Sequence, residues 1–154
     1  MPVYNRLGEH IDRYFGFLVS EHGFVKGEAA SDRQSFEIVF HSKTFNLKIQ
    51  TYHRGIDAYL CKPIKPDDEI NLFLLLQFLY EDTNKKISSN YFADTKDLDE
   101  TYRLQIKWIA AAIESHLNEI KAFFAASDFE KSVIAVRQYV IAKNPELFAR
   151  CGQQ

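Results

Sequence analysis

The sequence predicts an α+β fold: an N-terminal helix, a three- or four-stranded antiparallel meander, and a helical C-terminal half of about three helices packed on the sheet. Three observations predict it. Apolar residues recur every three or four positions up to His22, alternate from Ser35 to Cys61, and resume the helical spacing from Tyr102. Connections between the alternating runs are far shorter than a parallel crossover requires. A chain of 154 residues, 46% of them apolar, is long enough to bury about 70% of its extended surface, so one domain over residues 1–154 is expected.

The first helix runs from Tyr4 to His22. Leu7, Ile11, Tyr14, Phe15, Leu18 and Val19 form one stripe, with Glu9, Asp12, Arg13 and Glu21 opposite. Gly23 follows as a left-handed C-cap, where the missing Cβ removes the steric penalty. Strands are expected at Ser35–His41, Phe45–Tyr52 and Ile56–Cys61, because residues two apart share a face and each run separates apolar from polar positions. Phe24–Lys26 adds a short fourth strand, with Gly27–Asp32 as its loop. Pro63 and Pro66 end the sheet. Asp67, Asp68 and Glu69 then place negative charge at the positive start of a helix covering the apolar run Ile70–Tyr80. Glu81–Lys96 reads as a long loop. Asp97 caps a helix of up to about 27 residues, about 40 Å at 1.5 Å per residue, whose stripe runs from Tyr102 to Phe124. Ser127 and Glu130 form a capping box for a last helix, with Phe129, Val133, Val136 and Val140 inward, ended by Asn144-Pro145.

Charge and cysteine content exclude several functions. With 19 basic and 21 acidic residues, the chain lacks the clustered Lys and Arg of a nucleic-acid binder. Cys61 and Cys151 are too few and too far apart for a disulfide scaffold or a cysteine zinc cage. No secretion signal opens the sequence, and the densest apolar run is too short for a membrane span, so a cytoplasmic location is expected.

No catalytic motif is present: no P-loop, G-x-G-x-x-G or G-x-S-x-G pattern occurs. His116 and Glu119, at i,i+3, and the Asp67-Asp68-Glu69 run are the nearest approaches to a metal site. A helix-embedded histidine and acids at a helix start explain both without an ion. Cys61 falls on the more polar strand face and reads as a half-exposed, ordinary thiol. No metal and no cofactor is therefore expected. The most informative cluster is the turn between the second and third main strands, where Tyr52, His53, Arg54, Asp57 and Tyr59 gather an imidazole, a guanidinium, a carboxylate and two phenols. An Arg fork with flanking Tyr is the composition of a protein-contact hot spot as well as of an anion site. The bland alternative is a solvated tip held by an Arg54–Asp57 pair. Tyr91 and Phe92, on the long loop, are further aromatics placed outside the expected core. These seven residues are the candidate partner-binding set.

The segments YFGFLVSEHGF (Tyr14–Phe24) and SFEIVFHSKTFNLKIQTYHRGIDAYL (Ser35–Leu60) resemble small bacterial proteins of the polymorphic-toxin immunity type. In that family a helix ending in F-L-x-x-x-x-G-F leads into a strand, a lysine-bearing strand and an arginine-bearing hairpin. Its turn often reads Asp-Arg-Gly, where this chain has His53-Arg54-Gly55. The resemblance implies a cytoplasmic protein that binds and neutralises a partner protein without catalysis of its own. Two other readings stand beside it. One is a ligand-binding or enzymatic domain with a pocket between the sheet and the long helix near Trp108. The other is a homo-oligomer paired through an exposed apolar helix face.

Overall fold

The computed structural model describes residues 2–146 other than Asp82, Asn84 and Lys85, with side chains described from Arg6 onward. Cys151 and the Gly152–Gln154 tail lie outside the described residues. Helix α1 (Pro2–His22) ends where the stripe predicts. Gly23 takes φ 73°, and the Phe24 N–H donates to the Leu18 carbonyl at 3.0 Å, turning the chain toward the sheet.

The sheet is antiparallel and has six strands, in place of the three or four expected. Its body is β3 (Phe36–His41), β4 (Asn46–Tyr52) and β5 (Gly55–Cys61). Three two-residue strands extend it: β1 (Val25–Lys26) and β2 (Ala30–Ser31) along the outer side of β3, and β6 (Ile70–Asn71) beside β5. β1 falls within the short strand expected at Phe24–Lys26, whereas β2 and β6, two residues each, carry no legible alternation and exist only through pairing with β3 and β5. Between β1 and β2, the Gly27 N–H donates to Val39 at 2.8 Å. A Cβ on Gly27 would stand 2.8 Å from that carbonyl oxygen, so only glycine fits the approach.

Helices α2 (Leu72–Leu79), α3 (Leu98–Ala125) and α4 (Phe129–Lys143) complete the fold. Phe36, Ile38 and Phe40 of β3, Leu47 and Ile49 of β4, and Ile56, Ala58 and Leu60 of β5 form the buried face of the sheet. They join Leu7, Ile11, Phe15 and Leu18 of α1 and Ile106, Ile109 and Ile113 of α3 in one core. Aromatic rings meet there: Phe24, Phe45, Phe123, Phe124 and Phe129 form a continuous set of ring contacts with centroids 5.2–5.6 Å apart. Phe78, within the apolar run Ile70–Tyr80, is half-buried against Tyr139.

Several local expectations are corrected. Asp67, Asp68 and Glu69 do not start a helix. Glu69 pairs with Lys48 and Asp68 with Arg137, while Ile70 and Asn71 are drawn into the sheet. Asn71 then caps α2, its side-chain oxygen accepting from the N–H groups of Phe73 (3.0 Å) and Leu74 (3.2 Å). The capping box at Ser127 does not form, because α4 starts after Asp128 and Glu130 turns to Lys65 at 2.7 Å. Cys61 is buried rather than half-exposed. Burial, reinforced by the negative charge of Glu69, pushes its thiol above the ordinary range. On α4, Ile134 and Ile141 are exposed. Among the described residues, no helix is long and apolar enough to cross a membrane.

Candidate functional site

Strand β4 ends at Tyr52, which pairs with Gly55, leaving His53 and Arg54 as a two-residue hairpin tip. The tip is held from beneath by α3. Gln105, only 1% exposed, accepts from the Ile56 N–H at 2.7 Å and donates to the Arg54 carbonyl at 3.2 Å. The Tyr102 hydroxyl reaches the His53 carbonyl at 3.5 Å. A turn that ordinarily floats in solvent is thereby tied to the longest helix, with its backbone groups satisfied on the inner side.

The long loop folds against the same tip. Its anchors are the Gln77 side chain on the Ile87 carbonyl (3.0 Å), the Trp108 indole N–H on the Ser88 carbonyl (2.9 Å), and the Thr101 hydroxyl beside the Thr95 carbonyl (3.4 Å). Phe92 packs edge-on to Trp108 with centroids 6.0 Å apart. The Tyr91 ring lies over Gly55, where a Cβ would approach it to 3.0 Å. Its hydroxyl donates to Asp57 Oδ1 at 2.9 Å. The expected Arg54–Asp57 pair is absent among the described residues, since Tyr91 takes that carboxylate instead. Burial, and then the bond to Asp57, push the Tyr91 phenol above its ordinary value, so it stays protonated and donates.

Hairpin, loop and the start of α3 enclose an open groove of about 490 Å³. Six of the seven candidate residues line it: Tyr52, His53, Arg54, Asp57, Tyr91 and Phe92. The seventh, Tyr59, lies further along the outer face of β5, with the Lys48 ammonium 5.3 Å from its ring centre. Burial, then the charges of Asp57 and Glu69, raise its phenol. Tyr52 is 64% exposed and meets the His53 ring edge-on at 4.3 Å. His53 (φ 55°) and Phe92 (φ 50°) are the non-glycine residues with positive φ among those described. Both line this groove, and left-handed backbone at such residues persists only where the surroundings impose it.

Gln105, Tyr102, Thr95 and Thr101 were not legible in the sequence as parts of the site. A signal for Gln105 was available: it falls three residues after Tyr102 and four before Ile109, inside the apolar stripe of α3. A glutamine there must be buried, and a buried amide must find partners.

The groove brings together recognition groups. Among the described residues it sets no nucleophile against an oriented base: the Thr101 hydroxyl donates to the Asp97 carbonyl at 2.9 Å, and no carboxylate holds the His53 ring. Trp108, expected beside a pocket under the sheet, stands on the outer side of α3 beneath the loop, 41% exposed. His116 and Glu119 are bridged by Tyr80, whose hydroxyl donates to Glu119 at 2.9 Å and lies 3.0 Å from His116 Nδ1. No group of three or more His, Cys, Asp and Glu side chains is positioned for a metal ion among the described residues.

Compared with protein-family models, curated proteins and solved structures, the chain matches none.

Proposed function

We propose that this chain is a cytoplasmic, immunity-like protein-binding module without catalytic activity, which docks a partner protein through the hairpin-tip groove. One observation carries the reading: exposed Tyr52, Tyr91 and Arg54 converge with two left-handed residues on a groove whose backbone is braced by Gln105 and the loop. Rings and a guanidinium supply much contact area and directional bonding for few rotatable bonds. A site already held in shape loses little entropy on association, so more of its contact energy becomes affinity.

The test is capture of binding proteins by the immobilised full-length chain, side by side with the Tyr52→Ala/Arg54→Ala variant. Both side chains are exposed, so the variant keeps the fold. A stoichiometric protein partner, bound about 100-fold more weakly by the variant, is the expected result. A partner indifferent to the variant rules out the groove, and no protein partner at micromolar concentration rules out the reading.

A further inference from the structure

Six arginines lie among the residues with described side chains, and four have partners. Arg6 bonds Asp99, Arg13 lies over the Tyr14 ring, Arg103 bonds Glu100, and Arg137 pairs with Asp68. Arg33 and Arg54 have neither a carboxylate nor a ring beneath them among the described residues, and both are exposed.

The sheet brings these two together. Ser31 pairs with Phe36 across the β2–β3 turn, Glu37 pairs with Gln50, and the Phe36 N–H donates to Thr51 Oγ1 at 2.9 Å. The turn carrying Arg33 therefore stands beside the tip carrying Arg54, at one end of the sheet. Two strand spacings separate the turns, about 10 Å, which is the span of about three residues of extended chain. Arg33 is kept free by its own turn: the Asp32 carboxylate accepts from the Gln34 (2.7 Å) and Ser35 (2.8 Å) N–H groups. Those bonds, from Gln34 first, hold the Asp32 carboxyl below its ordinary range, so it stays ionised within the turn.

We propose that this end of the sheet binds an acidic segment of a partner protein, with Arg33 and Arg54 each taking one carboxylate and the exposed Tyr52 ring receiving an apolar side chain between them. The inference rests on the docking reading above and adds the chemistry of the partner. A guanidinium fork matches a carboxylate with two parallel hydrogen bonds. A nucleic-acid backbone fits less well: the chain has a net charge of −2, Asp57 lines the groove, and Asp94 stands between the lining residues Ala93 and Thr95. A long polyanion would meet these carboxylates.

The experiment is a titration of the isotope-labelled full chain, followed by amide NMR shifts, with the blocked peptide Gly-Glu-Phe-Ala-Glu-Gly, its Gln-for-Glu counterpart, and a short oligothymidylate. The acidic peptide should shift amides of residues 31–35 and 52–57, and bind more weakly as salt rises. Binding should fall about tenfold for the glutamine peptide and for Arg33→Gln/Arg54→Gln. Equal binding of the two peptides, no binding at millimolar concentration, or tighter binding of the oligothymidylate overturns the proposal. The two readings fail separately. A captured partner that is lost with Tyr52→Ala/Arg54→Ala yet indifferent to Arg33→Gln defeats only the acidic-segment inference, whereas the absence of any protein partner defeats the docking reading itself.

Discussion

Gln105 determines how firmly the candidate site is presented. Its amide accepts the Ile56 N–H and donates to the Arg54 carbonyl, both on the buried side of the hairpin. Gln105→Leu preserves volume but leaves one buried N–H unpaired and one carbonyl short of its donor. The expected cost is about 1–3 kcal/mol in urea unfolding, with faster amide exchange confined to residues 53–57. A loss under about 0.5 kcal/mol, the size expected of a plain surface change, would show that the tip does not depend on this brace. Tyr52, His53, Arg54 and Asp57 were legible as a cluster because a two-residue hairpin brings near sequence neighbours together. Tyr91 and Phe92 were legible only as aromatics without a core position. Their meeting with the hairpin depends on how a loop crosses Gly55, and no sequence period encodes that.

Helices α1, α3 and α4 and the three long strands follow from periodicity because each buries a continuous stripe or face, whereas α2, apolar on nearly every side, carries no such period. The acidic run Asp67–Glu69 misleads because charge is compatible with two outcomes. A helix start welcomes it through the dipole. Here Lys48 and Arg137 take two of the three carboxylates, and pairing of Ile70 with Leu60 carries the chain one step further along the sheet. Asn71 then acts twice, as the last residue of β6 and as the cap of α2. Asn71→Ala should lower stability by about 1 kcal/mol in denaturant unfolding, whereas Asn71→Asp, which keeps a side-chain acceptor, should cost less than half of that. Equal losses for the two substitutions would mean that strand pairing, and not the cap, starts this helix. α4 shows the same competition: Glu130 has a choice between its own N-terminus and Lys65, and tertiary contact wins.

At the scale of the molecule, the end of the sheet that carries the groove depends on α1 and α3 staying parallel and in register. Charged and polar groups hold them at this end. His10 Nε2 lies 3.0 Å from Asp99 Oδ1, Arg6 donates to Asp99 Oδ2 at 3.3 Å, and Arg103 joins Glu100 to the Tyr14 hydroxyl. Partial burial alone would raise the Asp99 carboxyl. The hydrogen bond from His10, followed by that from Arg6, outweighs this and holds it below its ordinary 3.8. A carboxyl lowered in the folded state stabilises the fold above its unfolded value. That contribution is lost as pH falls through the lower folded value. The seam should therefore be intact at pH 6 and weaken below about pH 4, loosening α1 from the base of the site. In Asp99→Asn the stability gap to the wild-type chain, read by urea midpoints, should be at its full width above about pH 5 and narrow as pH falls through the lowered folded value. Because Thr101, Tyr102 and Gln105 follow Asp99 on the same helix, binding to the hairpin groove should weaken over the same interval. A gap that is constant with pH would assign the effect of the substitution to lost packing. It would remove ionised Asp99 from the forces that hold the two helices, and with them the site, in place.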